Sequence, residues 1–301
     1  MSDHAATTPV CYRHTSRETW VRCARCERPI CPDCMLEAAV GHQCPECVAA
    51  GRRSQRPARG AFGGGPGGRA GLVTKALIGI NALVAVIGIA LGGTRSLFDG
   101  GLFTTAGPIH IIGAVVGPSV PLYTPGLGFA IYPGIDDGGI YRLLTAMFIH
   151  YGLVHLVMNM WALWVLGREL EAVLGPVRFL SLYVLSGLGG NVAAYLINPN
   201  SLSAGASTAV FGLFGAYFVI LRRLRMDTSA VVGVLVVNLV LTFAISQVSW
   251  AGHLGGLVAG SLVAVVLAYA PRPYRTPIQI AGNVALLVVL LALAMLRMLT
   301  H

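Results

Sequence analysis

The chain has 301 residues, of which 55% are hydrophobic and 11% charged, with a formal net charge of +9. Soluble domains average roughly 25% charged residues, so a protein soluble along its whole length is excluded. The positive charge lies mostly in short segments flanking apolar stretches, where it reports orientation in a membrane.

The first element in chain order is a small polar module over residues 1–48. All seven cysteines lie between Cys11 and Cys47. An odd count argues against a closed disulfide set, and clustered Cys-x-x-Cys pairs argue for metal. The pairs are Cys11-x2-His14, Cys23-x2-Cys26, Cys31-x2-Cys34 and Cys44-x2-Cys47. Eight tetrahedral-type ligands suffice for two structural zinc ions with no open coordination position. His42 is expected to be a bystander. Thiolate ligands suit a reducing compartment, which places this end in the cytoplasm. Residues 1–50 are polar and cysteine-rich and lack an apolar h-region, so no secretory signal peptide is expected, and the first spanning helix must direct insertion. Residues 49–72 are rich in Gly, Arg and Pro and read as a flexible linker.

Apolar stretches follow near 73–93, 149–167, 177–197, 206–221, 229–246, 252–270 and 278–296. Each is long enough to suggest a spanning helix, seven in all. The long segment 94–148 is rich in Gly and Pro, and its apolar run from Ile109 to Val116 suits an interfacial or re-entrant piece. Arg52, Arg53, Arg56, Arg59, Arg69 and Lys75 precede the first helix. Arg168, Arg178, Arg222, Arg223, Arg225, Arg272 and Arg275 lie at every second turn thereafter, and the connections 198–205 and 247–251 carry no charge. The positive-inside rule then puts the N-terminus in the cytoplasm and the C-terminus outside.

On that topology, helices two, four and six all enter from the external face. His155 and Asn159 fall at the start of helix two, Ser207 at the start of helix four and His253 at the start of helix six. Polar groups inside hydrocarbon are expensive and mark function by default. Taken singly, each would be read as a helix-packing or interhelical hydrogen-bonding residue; four at one depth point to a nucleophile, a base and an oxyanion site. His155 and Asn159, spaced i,i+4, share a helix face. His253, Gly256 and Gly260 place small residues below the imidazole, so helices four and six can approach closely and bring His253 toward Ser207. An aromatic one turn below the serine, Phe211, can stack on the imidazole. Each oxyanion donor in comparable sites contributes roughly 3–4 kcal/mol. Glu171, near the cytoplasmic end, reads as a structural cap.

At these residues the chain resembles the rhomboid family of intramembrane serine proteases. The matching pieces are Tyr141-Arg142, His150-x4-His155-x3-Asn159, Glu171-x3-Gly175, Gly205-Ala206-Ser207, Phe211-x3-Gly215 and His253-x2-Gly256-x3-Gly260. The resemblance implies an all-α polytopic membrane protein: a six-helix bundle over residues 73–270 with an additional seventh helix over 271–301. It implies Ser207 as nucleophile, His253 as base, and an oxyanion hole made by His155, Asn159 and the Ser207 backbone N–H. His150, Arg142, Phe211 and Glu171 would be supporting residues, with His150 and Arg142 serving a long loop in the outer leaflet. The family usually has glycine after the serine, where this chain has Thr208, and Trp-Arg where it has Tyr141-Arg142.

The module at 1–48 resembles B-box-type zinc fingers. That resemblance implies a cross-brace of Cys11, His14, Cys31 and Cys34 with Cys23, Cys26, Cys44 and Cys47. The expected partners are transmembrane protein substrates, the lipid bilayer and a cytoplasmic protein at the zinc module; nucleic acid is not expected. The rival readings are a catalytically silent rhomboid-like escort of membrane proteins, and a transporter, which would need charges along an intramembrane path.

Overall fold

A computed structural model of the chain describes residues 8–54, 60–63, 71–98, 106–124 and 128–300. It divides into two compact units, Met1–Ala58 and Arg59–His301. The linker residues 55–59 and 64–70 lie outside the described residues.

The first unit has little regular structure. Strands β1 (Leu36–Glu37) and β2 (His42–Gln43) pair antiparallel, with Leu36 opposite Gln43. Helix α1 (Pro45–Ser54) follows, with proline at its first position, where a missing N–H is harmless. The buried cluster is Cys11, Cys23, Ile30, Cys31, Cys34 and Cys44. A single aliphatic side chain among thiols cannot offset the entropy of ordering some fifty residues.

The second unit is helical. Its elements are α2 (Leu72–Gly92), α3 (Arg95–Phe98), α4 (Pro108–Gly113), the hairpin β3 (Val120–Thr124) and β4 (Gly128–Tyr132), α5 (Arg142–Thr145), α6 (Leu153–Leu174), α7 (Pro176–Ile197), α8 (Ser207–Leu224), α9 (Ser229–Ala244), α10 (Trp250–Tyr269) and α11 (Arg275–Thr300). Among the described residues, five helices are long and apolar enough to cross a membrane, and a sixth span results if Arg142–Phe148 and Leu153–Leu174, bent by 92°, are one. The protein is thus a multi-pass membrane protein built as a helical bundle. The fifth expected span, near 229–246, is the shorter apolar helix α9, closed after Ala244 by the extended backbone of Ile245. Its 16 residues reach about 24 Å at the helical rise, short of the roughly 30 Å hydrocarbon core. The expected helix at 149–167 starts later and runs further, at Leu153–Leu174, because Gly152 at φ 92° breaks the chain before it.

Burial separates inner from outer helices. The apolar windows of α7, α8 and α10 are 61%, 61% and 56% buried, against 22% for α2 and 17% for the last span. The inner three meet through glycines. A Cβ at Gly256 would stand 1.9 Å from the Thr208 carbonyl oxygen, and one at Gly260 2.3 Å from that of Gly212. Thr208, the departure from the family pattern, is accommodated in the same way: its side chain packs onto the bare Cα atoms of Gly190 and Gly252.

Two polar staples tie outer pieces to this core. Glu171 on α6 accepts hydrogen bonds from the backbone N–H of Val73 (3.0 Å) and Thr74 (2.9 Å) and from the Thr74 hydroxyl (2.8 Å), capping the first turn of α2. Gln279 on α11 accepts from Arg178 Nε on α7 and donates to the carbonyls of Leu267 and Phe62. Phe62 is itself buried in the main cluster. The segment expected as a free linker over 49–72 therefore begins with the end of α1 and contains a packed residue.

The long segment before α6 is held by a buried arginine. Arg142 donates to the carbonyls of Pro133 (2.7 Å), Ala114 (2.8 Å) and Ile111 (2.8 Å). The Ile109–Val116 run forms most of α4, a six-residue helix.

Candidate active site

Ser207 is the first residue of α8, so its backbone N–H has no partner within the helix and points with the positive end of the helix dipole. Its hydroxyl borders a cavity of about 790 Å³ that His155, Asn159, Phe211, Thr242 and His253 also line. Five of the residues singled out from sequence, Ser207, His155, Asn159, Phe211 and His253, thus converge on one space.

Gly205 sets the approach of the first pair. It has φ +143°, and a Cβ there would lie 2.9 Å from His155 Cε1, 3.0 Å from His155 Nε2 and 3.3 Å from Ser207 Oγ. The imidazole and the hydroxyl therefore both border the space that a side chain at Gly205 would take. The tautomer of His155 follows from its backbone neighbour. The Tyr151 N–H donates to His155 Nδ1 at 3.2 Å, so the proton of the neutral ring sits on Nε2, the atom beside Gly205. Asn159, one turn on, donates one amide hydrogen to the His155 carbonyl at 2.8 Å. An amide carries two hydrogens, and Asn159 itself lines the cavity.

His253 lies in the first turn of α10, buried, and stacks on Phe211 with ring centroids 4.0 Å apart and planes inclined by 18°. Its Nδ1 is 2.7 Å from the Thr242 hydroxyl on α9. Among the described residues no hydrogen bond joins Ser207 to His253. Catalytic hydrogen bonds in substrate-free sites commonly tighten only on binding.

The supporting residues act from behind the serine. His150 Nε2 accepts from the Ala206 N–H at 3.4 Å, and its ring meets that of His155 edge-on at 5.1 Å. The His150 carbonyl accepts from His110 Nε2 at 3.1 Å, which ties α4 to the entry of α6. His110 and Tyr151, stacked at 4.1 Å, and Thr242 were not read from the sequence. Thr242 has a signal in retrospect: it follows Asn238 by four residues, a polar pair on one face of an otherwise apolar helix. Arg142 and Glu171 lie outside the cavity lining, the first holding the long segment before α6 and the second capping α2.

A family model described as "Rhomboid domain" matches residues 137–270. The "Putative rhomboid protease YdcA" of Bacillus subtilis (strain 168) is 34% identical over 136 residues, which cover 43% of this chain and 68% of that protein. The chain belongs to the rhomboid family. "Rhomboid protease GluP" of the same organism is 38% identical over 138 residues, 44% of this chain and 27% of its own length. "RHOMBOID-like protein 5" of Arabidopsis thaliana is 32% identical over 167 residues, 52% of this chain and 53% of its own length. The chain thus spans about a quarter of GluP and half of the plant relative. The rhomboid match contains all six cavity residues named above and leaves out the N-terminal unit, α2 and α11.

The N-terminal unit holds two candidate metal centres. Cys11, His14, Cys31 and Cys34 form one group and Cys23, Cys26, Cys44 and Cys47 the other, each with ligand atoms within 4.8 Å of one another. His42 belongs to neither. Two thiolates on a tetrahedral zinc with bonds of about 2.3 Å stand about 3.8 Å apart, and the Cys26 and Cys44 sulfurs are 3.8 Å apart. In the first group His14 Nδ1 lies 3.2 Å from Cys31 Sγ and 3.4 Å from Cys34 Sγ. The sulfurs already have outer partners, with Arg28 Nε donating to Cys26 and the Cys44 N–H to Cys23.

The charge state also fits a cation. Burial tends to raise the Cys11 thiol, yet hydrogen bonds from the backbone of Cys31, Arg13 and His14 bring it down to about 6. Burial likewise opposes the backbone bonds from Cys44, Arg25 and Cys26 that bring Cys23 down to about 6. Others in the same groups move the opposite way. Burial and the neighbouring Cys11 push Cys34 up to about 11, and hydrogen bonding with Cys44, together with burial, pushes Cys47 up to about 12. Thiols packed this closely cannot all ionise without a counter-charge, which a divalent ion supplies.

Proposed function

We propose that this chain is a serine endopeptidase that cleaves membrane proteins within or beside their spanning segments. The observation that carries the reading is the convergence, around one cavity, of a helix-N-terminal serine, a buried imidazole stacked on Phe211 and the Nε2–H of a second imidazole.

Ser207 Oγ attacks the scissile carbonyl carbon while His253 Nε2 takes the hydroxyl proton. The negative charge that develops on the carbonyl oxygen meets the Ser207 N–H, His155 Nε2–H and the Asn159 amide. His253 then gives its proton to the departing amine, leaving an acyl-enzyme on Ser207. Water, deprotonated by the same imidazole, releases the acid and restores the serine. A helical peptide bond must first unwind, because its carbonyl is otherwise bound within the helix. Small, helix-destabilising residues in single-span substrates would favour that step.

The basic flanks of the spans support a cytoplasmic N-terminus, an active site near the external face and an external C-terminus. The N-terminal unit is proposed as a double-zinc module of B-box type in which both ions are structural, and the exposed Trp20 and Val40 offer an apolar surface to a cytoplasmic protein.

The test is cleavage of a transmembrane substrate by purified protein reconstituted in liposomes. Ser207→Ala and His253→Ala should each lower turnover by at least about 10³-fold. Cleavage that persists in both variants contradicts the reading.

A further inference from the structure

We propose that Thr242 is a positioning residue for His253: its hydroxyl holds the proton of the imidazole on Nδ1 and so commits Nε2 to act as the base. This rests on the protease reading above.

The argument is a count of hydrogens. Thr242 Oγ1 lies 2.7 Å from the Asn238 carbonyl oxygen and 2.7 Å from His253 Nδ1. A carbonyl can only accept, and a threonine hydroxyl has one hydrogen to give. That hydrogen goes to Asn238, one turn earlier on α9. The hydroxyl then turns a lone pair to His253, and the contact is a hydrogen bond only if Nδ1 carries the proton. The neutral ring is left with a bare Nε2, the nitrogen that must take the serine proton. The opposite tautomer would set an N–H where the base is needed and leave Nδ1 facing the Thr242 lone pair.

The surroundings make the hold effective. Thr242 is 3% exposed and His253 8%, so water does not compete readily for Nδ1. Phe211 fixes the ring plane from the opposite helix, and Thr242 fixes rotation within that plane. As His253 gains a proton the Nδ1–H bond to oxygen becomes charge-assisted and stronger, so the contact favours the state reached during turnover. A carboxylate would do this more strongly, but it would bury a charge at membrane depth. A hydroxyl oriented by a backbone carbonyl gives the orientation without the charge. On α9 the helix residues buried are Val231 and Thr242, and the rest of the helix is largely exposed, so its tie to the base is concentrated at this side chain.

The experiment uses the full-length protein in liposomes and compares wild type, Thr242→Val and Thr242→Ser. Valine keeps the shape and removes the lone pair; serine restores it. Thr242→Val should lose about ten- to hundredfold in kcat with KM little changed, and Thr242→Ser should stay within about threefold of wild type. In a Ser207→Ala background, nitrogen NMR of labelled histidine, with His253 identified by His253→Gln, should show the Nδ1–H form with threonine or serine and lose it with valine. The proposal is overturned by an unchanged kcat in Thr242→Val, by a rise in KM alone, by Thr242→Ser as slow as the valine variant, or by a tautomer indifferent to valine. Failure of wild type to cleave, with the tautomer still following Thr242, would sink the protease reading and the catalytic role while leaving the contact established.

Discussion

Gly205 carries more of the candidate active site than its size suggests. Its φ of +143° is open to glycine and strained for other residues, and the space a methyl would take is filled by His155 and Ser207. Gly205→Ala should therefore slow turnover at least about tenfold and destabilise the fold by about 1–3 kcal/mol, measured as cleavage rate and thermal midpoint. Wild-type behaviour would show that the Ser207–His155 approach is not as tight as described. At this scale much was legible. Serine and histidine at matching depth in apolar helices are rare enough to be noticed, and the i,i+4 spacing of His155 and Asn159 fixes their common face. The tautomers were not legible, because they depend on the Tyr151 N–H and the Thr242 hydroxyl, which reach the rings only in three dimensions. Thr242 itself looks in sequence like an ordinary back-bonded threonine.

Helices four and six of the sequence reading, α8 and α10, meet through bare backbone. Gly256 abuts the Thr208 carbonyl and Gly260 that of Gly212. The glycine periodicity announced a close approach, although only the packing shows that Gly190 and Gly252 make room for Thr208. Gly256→Val should push the two helices apart, destabilising by about 3 kcal/mol or more, with loss of cleavage at temperatures where wild type is stable. Glu171 was readable as a cap but its partner was not, since Thr74 lies 97 residues away. Glu171→Gln keeps one acceptor and loses charge-assisted bonds to the first turn of α2. It should lower the thermal midpoint by an amount equivalent to about 1–3 kcal/mol while leaving the Ser207 chemistry in place. The length of α9 and the start of α6 were misread because apolar composition does not reveal where Gly152 or Ile245 stops a helix.

At the scale of the whole molecule, two units with different sources of stability share one chain. The membrane unit buries apolar helices, whereas the N-terminal unit has cysteines for a core. The proposed double-zinc module, with eight candidate ligands in two groups, should give about two zinc ions per chain by metal analysis. Removing them with a chelator should unfold residues 8–54 by hydrogen exchange and leave exchange in α7, α8 and α10 unchanged. The division was legible from the cysteine cluster, whereas the packed Phe62 inside the supposed linker was not, since one aromatic in a Gly-rich run carries no pattern. The most direct measurement of the central claim is covalent labelling with a fluorophosphonate, read by intact mass and peptide mapping. One adduct per chain on Ser207, abolished in His253→Ala, is the expected result. No adduct on wild type, or an adduct that His253→Ala leaves undiminished, would contradict the reading of Ser207 as a nucleophile activated by His253.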